Sequence, residues 1–243
     1  LLNCFYYYPL PSPEPNPENS ILHDGNCNIN IRCQRDITDE KQNIQIYVDV
    51  THFDSFKTKE DGGAIHITNA ALKVNKSDFV QCESEEGAGG AIYIHNTFDI
   101  SNTYIFENIE FNRCSAQYGG AIYLYASSVN ISTFITKCQF LYNKVIAPLG
   151  AANNKYGGSA IYLSVYNGSL TNNKYSYNTG YGGVLKVLND FPNTDSNSVN
   201  LMDSSDKTVL ISDSTFDKNR KSDCALFYVA GNGPKIELFN CKF

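Results

Sequence analysis

The segment Gly89-Gly90-Ala91-Ile92-Tyr93-Ile94 has close copies at 62–67, 119–124, 157–163 and 182–187. Self-similarity at this interval commits a chain to a stack of like units, because one unit cannot bury its own apolar face. A second element precedes each copy, an aromatic followed three residues later by Asn or Cys: Phe79 to Cys82, Phe111 to Cys114, Phe140 to Asn143 and Tyr175 to Asn178. Phe53 to Phe56 and Phe216 to Asn219 extend the series, and Phe243 falls on the same aromatic position. The aromatics at 53, 79, 111, 140, 175, 216 and 243 lie 26, 32, 29, 35, 41 and 27 residues apart. That irregularity predicts one supersecondary unit per repeat with insertions looped out on the surface.

In Ala91-Ile92-Tyr93-Ile94 the isoleucines share one face and Ala91 and Tyr93 the other. A period of two belongs to a strand. Ile65 with Ile67, Ile122 with Leu124, Ile161 with Leu163, and Leu185 with Val187 repeat it. The Gly-Gly pair before each strand supplies the positive φ that a sharp corner needs. Stacked coils then align like residues in columns, which predicts an all-β fold: a right-handed parallel β-helix (solenoid) of about seven coils. At a strand spacing of roughly 4.8 Å such a rod is roughly 35 Å long. The chain is expected to be one domain over 23–243, with a capping coil at about 23–50 and insertions at about 145–156 and 189–207, preceded by an arm at 1–22.

The pairing of GGAI with FxxN resembles the repeat of the chlamydial polymorphic outer-membrane proteins and related surface proteins of some protists, over about residues 50 to 243. The resemblance implies a cell-surface β-helical passenger used in adhesion and carries no catalytic residues. The chain departs from that pattern at Cys82 and Cys114, which stand where Asn is expected, and at Cys224-Ala225-Leu226, where the Gly pair is lost.

In the arm, the aromatic stretch Phe5-Tyr6-Tyr7-Tyr8 is followed by Pro9, Pro11, Pro13, Pro15 and Pro17, an alternation that favours an extended polyproline-II segment over a helix. So aromatic a tip is expected to lie against this subunit or a neighbour, which makes Phe5, Tyr6, Tyr7 and Tyr8 a candidate assembly arm; a disordered linker is the alternative. The net charge of −6 argues against nucleic acid and anionic membrane surfaces as partners. The one basic cluster, Lys218-Asn219-Arg220-Lys221, reads as a solvated turn rather than a phosphate site. No run approaches the roughly 20 apolar residues that span a bilayer.

Eight cysteines and three sequons, at Asn75, Asn130 and Asn167, predict an extracellular or cell-surface location with N-linked glycans. Cys27 and Cys33 suggest a local disulfide in the capping coil; a zinc site with His23 and Cys4 lacks the usual ligand spacing. Cys82 and Cys114 share one column on adjacent coils, close enough for a bridge, with stacked thiols as the alternative. Asn143, Asn178 and Asn219 in that column predict an internal amide ladder. Glu83-Ser84-Glu85-Glu86 and Asp203 with Asp206 are the acidic groups that calcium could use, but they lack the oxygen spacing of a calcium loop. No cofactor is expected.

A polysaccharide-acting enzyme, known on parallel β-helices, needs convergent carboxylates. The outward column of the Gly-Gly strands holds instead His66, Tyr93, Tyr123, Tyr162 and Lys186, with His95 two positions along from Tyr93. That is an aromatic ladder and not an acid–base pair, so no enzymatic activity is expected. It could stack sugars or simply pack across coils. The sequence ends at Asn240-Cys241-Lys242-Phe243 on a core-position aromatic, without an evident polar cap. The resulting expectation is a non-enzymatic structural glycoprotein that assembles with itself head to tail into a fibre or coat, with an adhesin-type module binding a host or glycan ligand as the alternative.

Overall fold

In the computed structural model the described residues form twenty-seven strands, with no helix and only parallel pairings among them. It describes residues 25–27, 31–34, 45–97, 103–128, 130–147, 156–189, 208–221, 226–231 and 235–243. The arm at 1–22, most of both insertions, and Asp203 and Asp206 lie outside those residues.

One coil shows the plan. Ala71–Asn75 runs along a first face, Asp78–Val80 along a second, Glu83–Ser84 along a third and Ile92–Asn96 along a fourth. Each strand then pairs with its counterpart in the coils before and after. The result is three sheets of seven strands and one of six. The fold is therefore a parallel β-helix, as the strand-period alternation and the repeat spacing predict.

Alternation places every second side chain inside. On the fourth face Ile65, Ile92, Ile122, Ile161 and Leu185 form one register column, and Ile67, Ile94, Leu124, Leu163 and Val187 another. All ten are buried. At the centre of the second face the repeat aromatics stack ring on ring. Phe53, Phe79, Phe111, Phe140, Tyr175, Phe216 and Phe243 have successive centroids 4.6, 5.1, 4.9, 5.0, 4.6 and 5.6 Å apart. Their planes never diverge by more than 13°. Cys27 and Cys33 extend two of these columns, pairing in register with Phe53 and Ile67 on different faces.

The corners have their own chemistry. Entering the fourth face, Gly89 takes φ +67°, and a Cβ there would come within 2.2 Å of the Ile92 carbonyl oxygen. Between the first and second faces the turning residue is not glycine. Val50, Lys76, Asn108, Lys137, Asn172, Asp213 and Asn240 all carry φ of 45–57°. Between the second and third faces Ser55, Gln81, Arg113, Tyr142, Tyr177 and Lys218 do the same, at 51–58°. Left-handed backbone at a residue with a Cβ costs about 1–2 kcal/mol. Here the amide of each such residue from Ser55 to Tyr177 donates to the next coil, as Tyr142 N does to Ser176 O at 3.1 Å, which holds the bend in place.

Candidate functional site

The residue following each second corner turns inward. Asn143 Nδ2 donates to Phe111 O at 3.0 Å and to Asn178 Oδ1 at 3.1 Å, and the Asn143 backbone N–H reaches that same oxygen at 3.0 Å. Asn178 repeats this with Phe140 O and Asn219 Oδ1, and Asn219 donates to Tyr175 O. The expected ladder of Asn143, Asn178 and Asn219 is present, and it closes the amide and carbonyl groups that the corner leaves unpaired.

Cys114 and Cys82 continue the column, but as free thiols. The expected bridge is absent. Cys114 caps the ladder through its backbone N–H, which donates to Asn143 Oδ1 at 2.9 Å, and its thiol donates to Phe79 O at 3.4 Å. The Cys82 thiol faces the carbonyls of Val80 and Phe53 at 3.6 and 3.8 Å. Each sulfur thus satisfies a carbonyl as the Asn amide does elsewhere. The neighbouring Cys114 thiol and burial push the Cys82 thiol up. The side chains of Cys27 and Cys33 lie outside the described residues.

A second ladder, at the first corner, escaped the sequence reading. There Cys138 N donates to Asn173 Oδ1 at 2.8 Å, Asn173 Nδ2 to Ile135 O at 2.8 Å, and Asn173 N to Ser214 Oγ at 3.2 Å. The Cys241 thiol lies 3.4 Å from Ile211 O at the same corner. Thr51 N donates to Ser77 Oγ at 3.1 Å. Five residue types share this column, so no repeated letter marks it.

On the outer side of the fourth face His66, Tyr93, Tyr123 and Tyr162 stack with centroids 4.8, 5.1 and 4.8 Å apart. Because each ring covers its neighbour, the faces a sugar needs are already used, and the column reads as cross-coil packing. Lys186 continues this column in register with Tyr162 but is covered there. Its side chain is fully buried, with Nζ 5.3 Å from the Tyr162 ring centre, 4.9 Å from that of Tyr228 and 3.2 Å from Tyr156 O. His95 stands in the adjacent column, 3.3 Å from Tyr93 Oη and edge-on to Tyr125. Burial holds its imidazole below the usual range, partly opposed by Asp61. Burial and the Asp61 charge push Tyr93 up.

Of the sequons, Asn130 is exposed, while Asn75 and Asn167 are half-buried at the ends of first-face strands. Asn75 Nδ2 donates to Asp49 Oδ1 at 2.9 Å. Glu83 and Glu85 bind Lys57 at 3.2 and 2.8 Å, and Glu86 lies 3.8 Å from Lys59. Among the described residues no cluster of His, Cys, Asp and Glu is arranged to hold a metal, and no helix is long and apolar enough to cross a membrane.

The coil face at 235–243 is the other candidate surface. Strand Lys235–Phe239 pairs along one edge with Thr208–Ser212. Leu238, Phe239 and Phe243 are 48, 67 and 70% exposed. Comparison with protein-family models, curated proteins and solved structures finds no match for this chain in any of the three. The resemblance to surface-protein repeats rests on the GGAI and FxxN residues alone.

Proposed function

We propose that the chain is a non-enzymatic, extracellular structural glycoprotein whose right-handed β-helix assembles head to tail into a surface fibre or coat. The observation that carries this reading is the in-register stack of seven repeat aromatics from Phe53 to Phe243, which a further coil of the same period would extend. Beside it the strand Lys235–Phe239 has one edge paired and one edge free of any described strand. Such a face is a template for another coil of the same period, since both its hydrogen-bonding groups and its apolar rings are in register with the rod. A second copy offers that period in Gly25–Cys27 and Ile31–Gln34, the first strands of its second and fourth faces. A heterologous contact of this kind does not close on itself, so it propagates. The extracellular location is supported by the three sequons and not by the cysteines, since Cys82, Cys114, Cys138 and Cys241 are free thiols.

The test is negative-stain electron microscopy and analytical ultracentrifugation of chain 1–243 over a range of concentrations. Filaments with an axial repeat near one rod length are expected, and a Phe239→Asp/Phe243→Asp variant that folds but stays monomeric supports the contact. A folded wild-type chain that remains monomeric at high concentration refutes the proposal.

A further inference from the structure

The corner between the second and third faces carries a charged aromatic column on its outer side. Arg113, Tyr142, Tyr177 and Lys218 occupy it in successive coils, and the backbone N–H groups of the first three donate to the next coil. The Tyr142 and Tyr177 rings stack at 4.8 Å and 9°. Arg113 lies 5.8 Å from the Tyr142 ring centre, and Lys218 lies 5.5 Å from that of Tyr177 and 3.3 Å from its hydroxyl. The stack is therefore closed by a cation at each end, and the rings hold both cations in place. Beside it on the third face runs a register column of Lys144, Thr179 and Arg220. Arg113, Lys144, Lys218 and Arg220 are all exposed, as is Tyr142 at 48%. Among the described residues, the one carboxylate paired within the group is Asp217, 3.8 Å from Lys218.

We infer that this edge binds a linear acidic polysaccharide, lying along the rod axis with its carboxylate or sulfate groups on Arg113, Lys144, Lys218 and Arg220. The spacing fits a polymer better than a point anion. At a rise of roughly 4.8 Å per coil, Lys144 and Arg220 stand roughly 10 Å apart along the axis, and Arg113 and Lys218 roughly 14 Å. One sugar ring advances a linear polysaccharide by about the rise of one coil, so acidic groups on alternate or successive sugars return to the cations in step. An extended acidic peptide repeats on one side every ~6.8 Å and falls out of step. Duplex nucleic acid requires more phosphate contacts than four cations on a chain of net charge −6 provide. The tyrosine edges and the Thr179 hydroxyl supply hydrogen-bonding groups for sugar hydroxyls between the charges. Cations held against rings also lose less freedom on binding than free lysine chains do. The inference does not depend on end-to-end assembly, because the column lies on the side of the rod.

The experiment measures binding of polygalacturonate oligomers, dextran sulfate, neutral dextran and polyglutamate to immobilised chain 1–243 at low and at 0.15 M ionic strength. Polygalacturonate or dextran sulfate is expected to bind, the stronger of the two identifying carboxylate or sulfate as the recognised group, and neutral dextran is not. Replacing Arg113, Lys144, Lys218 and Arg220 together by Gln should lower affinity by ~tenfold or more, the ~1.4 kcal/mol expected of four exposed cations. A variant with Lys59, Lys76, Lys137 and Lys235 changed to Gln has the same net charge and should bind as wild type. Both replace exposed side chains, and circular dichroism establishes that each folds. Equal loss in the two variants, polyglutamate binding as tight as that of either polysaccharide, or no binding of any acidic polymer would each overturn the assignment.

Discussion

Asn143 and Asn178 share a single oxygen: Asn178 Oδ1 accepts both the backbone N–H and the side-chain amide of Asn143, at 3.0 and 3.1 Å. The two donors come from one residue and the acceptor from the next coil, so this oxygen joins consecutive turns at a point where no strand ladder runs. Asn178→Ala takes this acceptor from the Asn143 N–H and from one Asn143 amide hydrogen, the other staying on Phe111 O, and removes the amide that donates to the Phe140 carbonyl. The expected loss is about 3–5 kcal/mol, which for a chain of this size lowers the melting temperature by roughly 6–20 °C. Thermal unfolding followed by circular dichroism measures it. A shift under 2 °C would falsify a structural role for the ladder.

Tyr175 is the one phenol in a column otherwise made of phenylalanine. Its hydroxyl is buried without a hydrogen-bond partner in good geometry. Nothing in the structure explains the hydroxyl. Tyr175→Phe removes an unsatisfied polar group while preserving the stack, and stability should rise by about 1–2 kcal/mol. Urea unfolding of the two proteins decides it; a destabilised variant would mean that the hydroxyl has a partner in solution.

Outer and inner aromatic columns should differ in weight. Tyr123 stacks at 5.1 and 4.8 Å on Tyr93 and Tyr162 but is only half-buried. Replacing it by Ala costs about 1–3 kcal/mol, two ring pairs' worth. Phe111, wholly buried between Phe79 and Phe140, costs about 3–5 kcal/mol when cut to Ala. Paired denaturant curves should preserve that order, and the reverse order would show that the outer column is the stronger support.

Cys82, Cys114 and Cys138 are free and buried, so iodoacetamide should leave them unlabelled in the native protein and label them fully in guanidinium without reductant. Peptide mass spectrometry reads each site. A Cys82–Cys114 disulfide peptide would contradict the stacked-thiol arrangement.

Burial pushes the Cys138 thiol up from 9.0 to about 12. The folded state therefore keeps its proton where the unfolded chain releases it. The stabilisation is complete below pH 9 and is lost as pH rises from 9 to 12, at up to about 1.4 kcal/mol per pH unit for this group. Urea midpoints between pH 8 and 11 should fall, and Cys138→Ala should flatten the slope whatever its starting stability. Parallel slopes in the two proteins would rule this thiol out as a source.

The fold was legible because its three most demanding positions reuse the same letters. A corner at φ +67° takes Gly89, an axial stack takes Phe, and an amide ladder takes Asn. The first-corner ladder was not legible, because Thr, Ser, Ile, Cys and Asn all serve where one hydrogen bond or one small apolar group suffices. Lys186 misled for another reason. Strand alternation correctly assigns it to the outer side, but alternation cannot show that Tyr156 and Tyr228 cover that side locally. The tyrosines at 142 and 177 were hidden because bulky residues are poor signals for left-handed backbone, and only the structure shows that the next coil's carbonyl holds them there.

The coil-upon-coil ladder also has a mechanical consequence. Tension along the rod axis pulls directly across the ladders between neighbouring coils, so coils open successively instead of shearing together. Each event frees one repeat, such as the 32 residues from Phe79 to Phe111, or roughly 100 Å of extended chain. Under load the molecule would lengthen by many times its resting size in separate steps, each interrupting the pull before the next coil opens.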